Sequence, residues 1–112
     1  MDDMNQVLGE LQGSIQDLQK EYPDFMKAFH GFMDTTENDG AISKKNKEII
    51  CVSLSVVKQC KWCIAFHVKN ALNAGASKEE LMEASFVAAL MGGGPAMMYA
   101  QLVVKAIKDF SN

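Results

Sequence analysis

Cys60, Cys63 and His67 stand at i, i+3 and i+7, so on one helix they project from the same face. Two thiols one turn apart can close a disulfide where the local backbone permits its geometry, and such a pair cycles between oxidised and reduced states. A thiol is a poor nucleophile until it is deprotonated. The first turn of a helix favours that step, because unpaired N–H groups and the positive end of the helix dipole stabilise a thiolate. His67 lies four residues beyond Cys63, within reach to take its proton directly or through a water. Cys63 is therefore the expected nucleophile and Cys60 the expected resolving thiol. Glu48 precedes Cys60 by twelve positions, and a turn around Lys58 and Gln59 would fold the two helices back against each other. Its carboxylate could then face His67, orient the imidazole and raise its basicity.

Taken singly, these residues have plainer readings. Glu48 alone would be a solvated helix carboxylate, and His67 alone a satisfied core imidazole. A C-x-x-C pair can also bind zinc, with His67 as a third ligand and His30 as the other available histidine. The second cysteine pair of a structural zinc site is missing, so no metal ligands are expected. Cys51 reads as a small buried hydrophobe, His30 as a structural residue, and Trp62 as packing against a neighbouring helix or subunit. The four residues together favour chemistry, because perturbed titrating groups gather where reactions are run.

The elements that must position them read as helices. Met4, Val7, Leu8, Leu11, Ile15 and Leu18 recur at steps of three and four, as do Phe25, Met26, Phe29, Phe32 and Met33 after Pro23. The turn Asn38-Asp39-Gly40 separates the second helix from a third, capped by Ser43 and running from about Lys44 to Lys58. β-branched residues in that third segment suggest a strand, but its length and its charged first turns favour a helix. A fourth helix opens at Cys60 and extends to Gly75. A fifth starts at the capping box Ser77-Lys78-Glu79-Glu80 and runs through Leu90 or Met91. The Gly92-Gly93-Gly94-Pro95 break predicts a sharp turn into a last helix, Pro95 to about Phe110. The expectation is one all-α domain over residues 1–112, with about six helices and no repeats.

No charged side chain occurs from Ala84 through Val104, which meets the length threshold for a membrane span. The glycines and proline at its centre, its alanine content and Gln101 argue against a span, so two buried antiparallel helices are expected, an apolar hairpin with surface to spare for subunit contacts. At 112 residues, 48% hydrophobic and 22% charged, the chain has the composition of a globular protein. A net charge of -3 offers no basic footprint for nucleic acid, and neither nucleic acid nor membrane is an expected partner. The N-terminus Met1-Asp2-Asp3-Met4 has no leader character, and three cysteines are an odd number, which fits the reducing cytoplasm better than a secreted disulfide framework.

Glu48, eleven residues, Cys60-Lys61-Trp62-Cys63, three residues and His67 form E-x11-C-x-x-C-x3-H. This pattern resembles that of the AhpD-like alkylhydroperoxidases within the carboxymuconolactone decarboxylase family, from about Ile42 to the region of Met91 to Gly94. The resemblance implies an AhpD-like helical fold, a homo-oligomer of trimeric or hexameric kind, and peroxide reduction without metal or flavin cofactor. It implies a peroxidatic Cys63, a resolving Cys60 and a Glu48–His67 proton relay, with a small hydroperoxide as substrate and a thiol reductant, thioredoxin-like or lipoyl-bearing, as electron donor. Some family members carry a histidine where this chain has Trp62. The decarboxylase branch lacks the cysteine pair, so lactone decarboxylation is disfavoured. A general thiol-disulfide oxidoreductase and a non-catalytic oligomeric scaffold stand as the competing expectations, and a thioredoxin domain is disfavoured by the missing strands.

Overall fold

Helix boundaries follow the capping chemistry of the chain. Asp3 accepts a hydrogen bond from the amide of Asn5 and starts α1, Met4–Glu21, while Pro23 occupies the first turn of α2, Pro23–Glu37, where its missing N–H is no loss. Ser43 caps α3, Lys44–Val57, by accepting from the amide of Asn46, and Asp39 Oδ1 accepts from the amide of Lys44 at 2.7 Å. These caps, with Val52 and Val56 fully buried, make the β-branched segment a helix despite its strand propensity. Cys60 is the N-cap of α4, Lys61–Asn73, and Gly75 beyond it takes the left-handed φ of 95°. The capping box is formed in full, with Ser77 Oγ accepting from the Glu80 amide at 3.1 Å and Glu80 Oε1 from the Ser77 amide at 2.9 Å. It opens α5, Lys78–Phe110. The structure, a computed structural model, describes residues 1–111, and the described residues contain these five helices and no strand.

The all-α expectation holds, but the expected six helices are five. The predicted turn at Gly92 to Pro95 is compressed into one residue. Gly93 alone leaves helical geometry, at φ 73° and ψ -157°, a region open essentially to glycine, and the helix resumes at once. Pro95 falls in the first turn of the resumed segment, and a Cβ on Gly92 would stand 2.7 Å from that of Ala96. The predicted break is therefore present as a kink at Gly93, where two helical segments of α5 meet without an intervening loop.

Nor is that helix buried all round. Ser85, Ala88, Ala96, Ala100 and Val103 face the core, whereas Leu90 is 81% and Met91 80% exposed, with Phe86, Val87 and Met98 exposed beside them. Small side chains inside let α5 approach α3 closely, and large ones are left outside. By length and composition α5 could cross a membrane, with a mean hydropathy of 1.4 over its most apolar stretch.

α3 lies at the centre, packed against α4 and α5, with α1 laid across both of these. Met4, Val52, Ile64, Val68, Leu81 and Val103 form the heart of the core, and the larger of them contribute about 1.5–3 kcal/mol each by leaving water. α2 is held more thinly. Met26 is its buried residue, Phe25, Phe29 and Phe32 remain exposed, and its C-terminal end is tied to α3 by Lys47 Nζ, which donates to the carbonyls of Thr36 at 2.8 Å and Asn38 at 2.6 Å.

Replacing Gly93 by Ala should cost about 1–3 kcal/mol, since alanine is forced into a sparsely populated conformation. Gly94→Ala, in helical geometry with open space around it, should be neutral or stabilising by up to about 1 kcal/mol. Urea denaturation of both variants at one protein concentration checks the contrast.

Candidate functional site

The site begins where α3 ends. Gln59 takes a left-handed φ of 55°, and the amides of Gln59 and Cys60 donate back to the carbonyls of Val56 and Ser55 at 3.1 and 3.2 Å. The chain thereby reverses, and α4 returns along α3 as the spacing of Glu48 and Cys60 requires. Cys60 and Cys63 form a disulfide with Cα atoms 5.3 Å apart, and Cys60 Sγ also accepts from the Cys63 amide at 3.2 Å. Both cysteines are thus in the first turn of α4, as the sequence predicts. Cys63 is exposed and Cys60 half-buried.

One turn further on, His67 Nδ1 meets Glu48 Oε2 at 2.8 Å. Glu48 is fully buried, and its other oxygen, Oε1, has no hydrogen-bond partner among the described residues. The Phe66 ring packs edge-on against the imidazole at 5.0 Å. Burial by itself pushes the His67 pKa down, but hydrogen bonds and charge interactions with Cys51 and Glu48 outweigh it and raise the pKa to about 9. The contact with the buried Glu48 carboxyl thus favours the protonated ring.

Cys51 is the nearest thiol in this network. Its sulfur, a Glu48 oxygen and a His67 nitrogen lie within 4.8 Å of one another, close enough to face one ion, although Glu48 and His67 already engage each other. The set weighed for zinc is not assembled: Cys60 and Cys63 are bonded to each other, and His30 lines a separate surface hollow with Lys27 and Asp34.

Cys63 and His67 open into a cavity of about 380 Å³, walled by Leu11 and Ile15 of α1, Phe29, Phe32 and Met33 of α2, and Phe66. Cys51, Thr36, Glu37 and Trp62 complete it. Trp62 Nε1 donates to Glu10 Oε2 at 3.1 Å, so the tryptophan does pack against a neighbouring helix, α1. The four residues singled out by spacing are thus brought to one place. His67 hydrogen-bonds Glu48 with Cys51 close beside the pair, while Cys63 is its neighbour in the cavity wall. Sequence reasoning missed Cys51 and Glu37. The one-turn interval from Glu48 to Cys51 was the available signal for the first, and the second had none, since α2 is remote in sequence from the motif.

A histidine whose pKa is raised on folding adds stability that is complete below its unfolded value near 6.5 and is lost as pH rises through about 9. In the disulfide form, the chain should therefore lose stability between pH 6.5 and 9.5, and His67→Gln should flatten that slope. Thermal melts across this range measure it.

Three comparisons with known proteins agree with this architecture. The family model for the carboxymuconolactone decarboxylase family matches residues 23–106. An uncharacterized protein of Cupriavidus necator is 38% identical over 98 residues, covering 88% of this chain and 87% of its own, and protein 4 of the cox locus of Paracoccus denitrificans is 42% identical over 71 residues, covering 63% and 64%. Among solved structures, a carboxymuconolactone decarboxylase family protein of Legionella pneumophila superposes with a TM-score of 0.95 at 36% identity over 100% of both chains. A family protein of Thermotoga maritima superposes at 0.82 with 23% identity, over 93% of this chain and 89% of its own. With its helical fold, its motif and its matched residues in agreement, the chain belongs to the carboxymuconolactone decarboxylase family.

Proposed function

We propose that the chain is a thiol-dependent peroxidase that reduces organic hydroperoxides through Cys63 and Cys60. The observation that carries this reading is the apolar cavity into which Cys63 and His67 open together, with Glu48 buried behind the imidazole. An alkyl or aryl group gains by entering such a cavity, and the reacting O–O bond then meets titratable groups in its wall.

The reaction starts from the reduced dithiol. The Cys63 thiolate attacks the terminal oxygen of ROOH, forming an S–O bond as the O–O bond breaks, so that sulfur is oxidised to the sulfenic acid and the peroxide is reduced to an alkoxide. His67, as imidazolium, supplies the proton that makes the alkoxide an alcohol, and Glu48 holds the ring in place and stabilises its charge. His67, left neutral by that transfer, takes the proton of Cys60, whose thiolate attacks the Cys63 sulfur and closes the disulfide; the displaced hydroxide takes the proton back from His67 and leaves as water. An external dithiol returns two electrons, becomes a disulfide and restores Cys60 and Cys63. The exposure of Cys63 supports a second reading, exchange with protein or lipoyl disulfides, because a partner's sulfur can reach it. Stopped-flow oxidation of the reduced protein by cumene hydroperoxide and by a model disulfide separates the two: the faster oxidant identifies the reaction.

Cys63→Ser should abolish reaction with hydroperoxide, whereas Cys60→Ser should complete one oxidation and stall with a sulfenic acid that a selective reagent traps. Glu48→Gln or His67→Gln should slow the first step by about 10²- to 10⁴-fold. The reverse pattern at the two cysteines would exchange their roles.

The outward face of α5 supports assembly of the chain with copies of itself, since Leu90, Met91, Met98 and Phe86 form more apolar surface than a lone chain keeps in water. Sedimentation at micromolar concentration should show a homo-oligomer, of trimeric or hexameric size. A clean monomer would end this part of the reading.

A further inference from the structure

One buried atom of the relay lacks a partner. Glu48 Oε2 is committed to His67, but Oε1, equally removed from water, accepts no hydrogen bond. Buried acceptors are rarely left so, because withdrawing an oxygen from water without replacing its hydrogen bond is costly. The candidate donor is a second carboxyl, that of Glu37.

Glu37 is brought there by the Lys47 clamp. Lys47 Nζ holds the carbonyls of Thr36 and Asn38, the residues on either side of Glu37, and Lys47 immediately precedes Glu48 in the chain. A single tie therefore sets the end of α2 over the stretch of α3 that carries the buried carboxylate. Glu37 also stands between two cavities. It lines the apolar one with Cys63 and His67, and it lines a second of about 300 Å³ whose wall is polar, formed by Lys44, Asn70 and Asn73. The ionisable groups around it are Glu48 and Lys44 of α3 and His67 of α4, with Cys51 beyond. α1 contributes the apolar Leu11 and Ile15 to the shared cavity.

We propose that Glu37 is a positioning residue of the relay: its carboxyl donates a hydrogen bond to Glu48 Oε1 and exchanges that proton with the polar cavity. Two carboxyls in contact hold one proton between them more readily than they ionise together, so the pair titrates as a unit. In agreement, burial first and the neighbouring Glu48 carboxyl second push the Glu37 pKa up, against the opposing pull of His67 and Lys44. With Glu37 in place, Glu48 keeps both oxygens engaged, and its orientation toward His67 is fixed from behind. The inference rests on reading Glu48 and His67 as a proton relay, so its test observes that relay first without substrate.

In the disulfide form, the ¹³Cε1 resonance of His67 is titrated by NMR and distinguished from that of His30 with His30→Gln. Two transitions are expected: the imidazole's own near pH 9, and a smaller one above the ordinary carboxyl range of about pH 4 that reports the carboxyl pair. Glu37→Gln and Glu37→Leu should both remove the lower transition. With reduced protein and cumene hydroperoxide, Glu37→Leu should slow the first step by about tenfold, as expected for weakened support of the proton-donating His67. Glu37→Gln, whose amide can still donate to Glu48, should recover most of that loss. A single transition in the unmodified protein, a lower transition that survives in Glu37→Gln, or a Glu37→Leu rate equal to that of the unmodified protein would each overturn the proposal. If the titrations behave as expected but no form of the protein reacts with hydroperoxide, Glu37 keeps its place and the peroxidase reading falls.

Discussion

A carboxylate with no access to water must be matched by a cation, and the pairing of Glu48 with His67 is the constraint around which this small fold is organised. Removing either member of such a pair ordinarily costs about 3–5 kcal/mol, because the other charge is left buried and alone. The contact fixes α4 against α3 in one register. That register in turn needs the reversal at Gln59, and the reversal delivers Cys60 to the N-cap position and Cys63 to the first turn. The helix terminus on which the two cysteines sit and the salt bridge beside it are consequences of one packing decision.

Much of this was legible before any coordinates. The caps Ser43 and Ser77, Pro23, and Gly75 act locally, through bonds to residues within a few positions, so their meaning does not depend on the rest of the molecule. The convergence of Glu48, Cys60, Cys63 and His67 was legible for a related reason: all lie on two consecutive helices, and helical periodicity alone fixes which faces they occupy. Where β-branched residues of α3 opposed that reading, burial of Val52 and Val56 decided it.

What was not legible depends on long-range packing. The triple glycine predicts a break, but whether a break becomes a loop or a single bent position depends on how closely Gly92 must approach Ala96. The Ala84 to Val104 stretch was expected to leave apolar surface to spare, as it does, but which of its residues face inward was not legible from hydrophobicity. Fit against α3 selects for smallness instead, and the alanines win the inside. Glu37 could not be read at all, since its meaning arises from an oxygen on another helix that lacks a partner.

The unequal anchoring of the cavity has a further consequence. Cys63 and His67 in its lining belong to α4, which is woven into the core, whereas Phe29, Phe32 and Met33 belong to α2, with one buried side chain and a lysine clamp at its C-terminal end. Local opening free energies follow such differences, from near zero at thin elements up to the global stability at the core. The α2 side of the wall is therefore expected to open at a smaller free-energy cost than the core that holds Cys63 and His67. Entry of a bulky molecule and preservation of the chemical apparatus are separated in this chain by a difference in local stability, without a dedicated loop to serve as a gate.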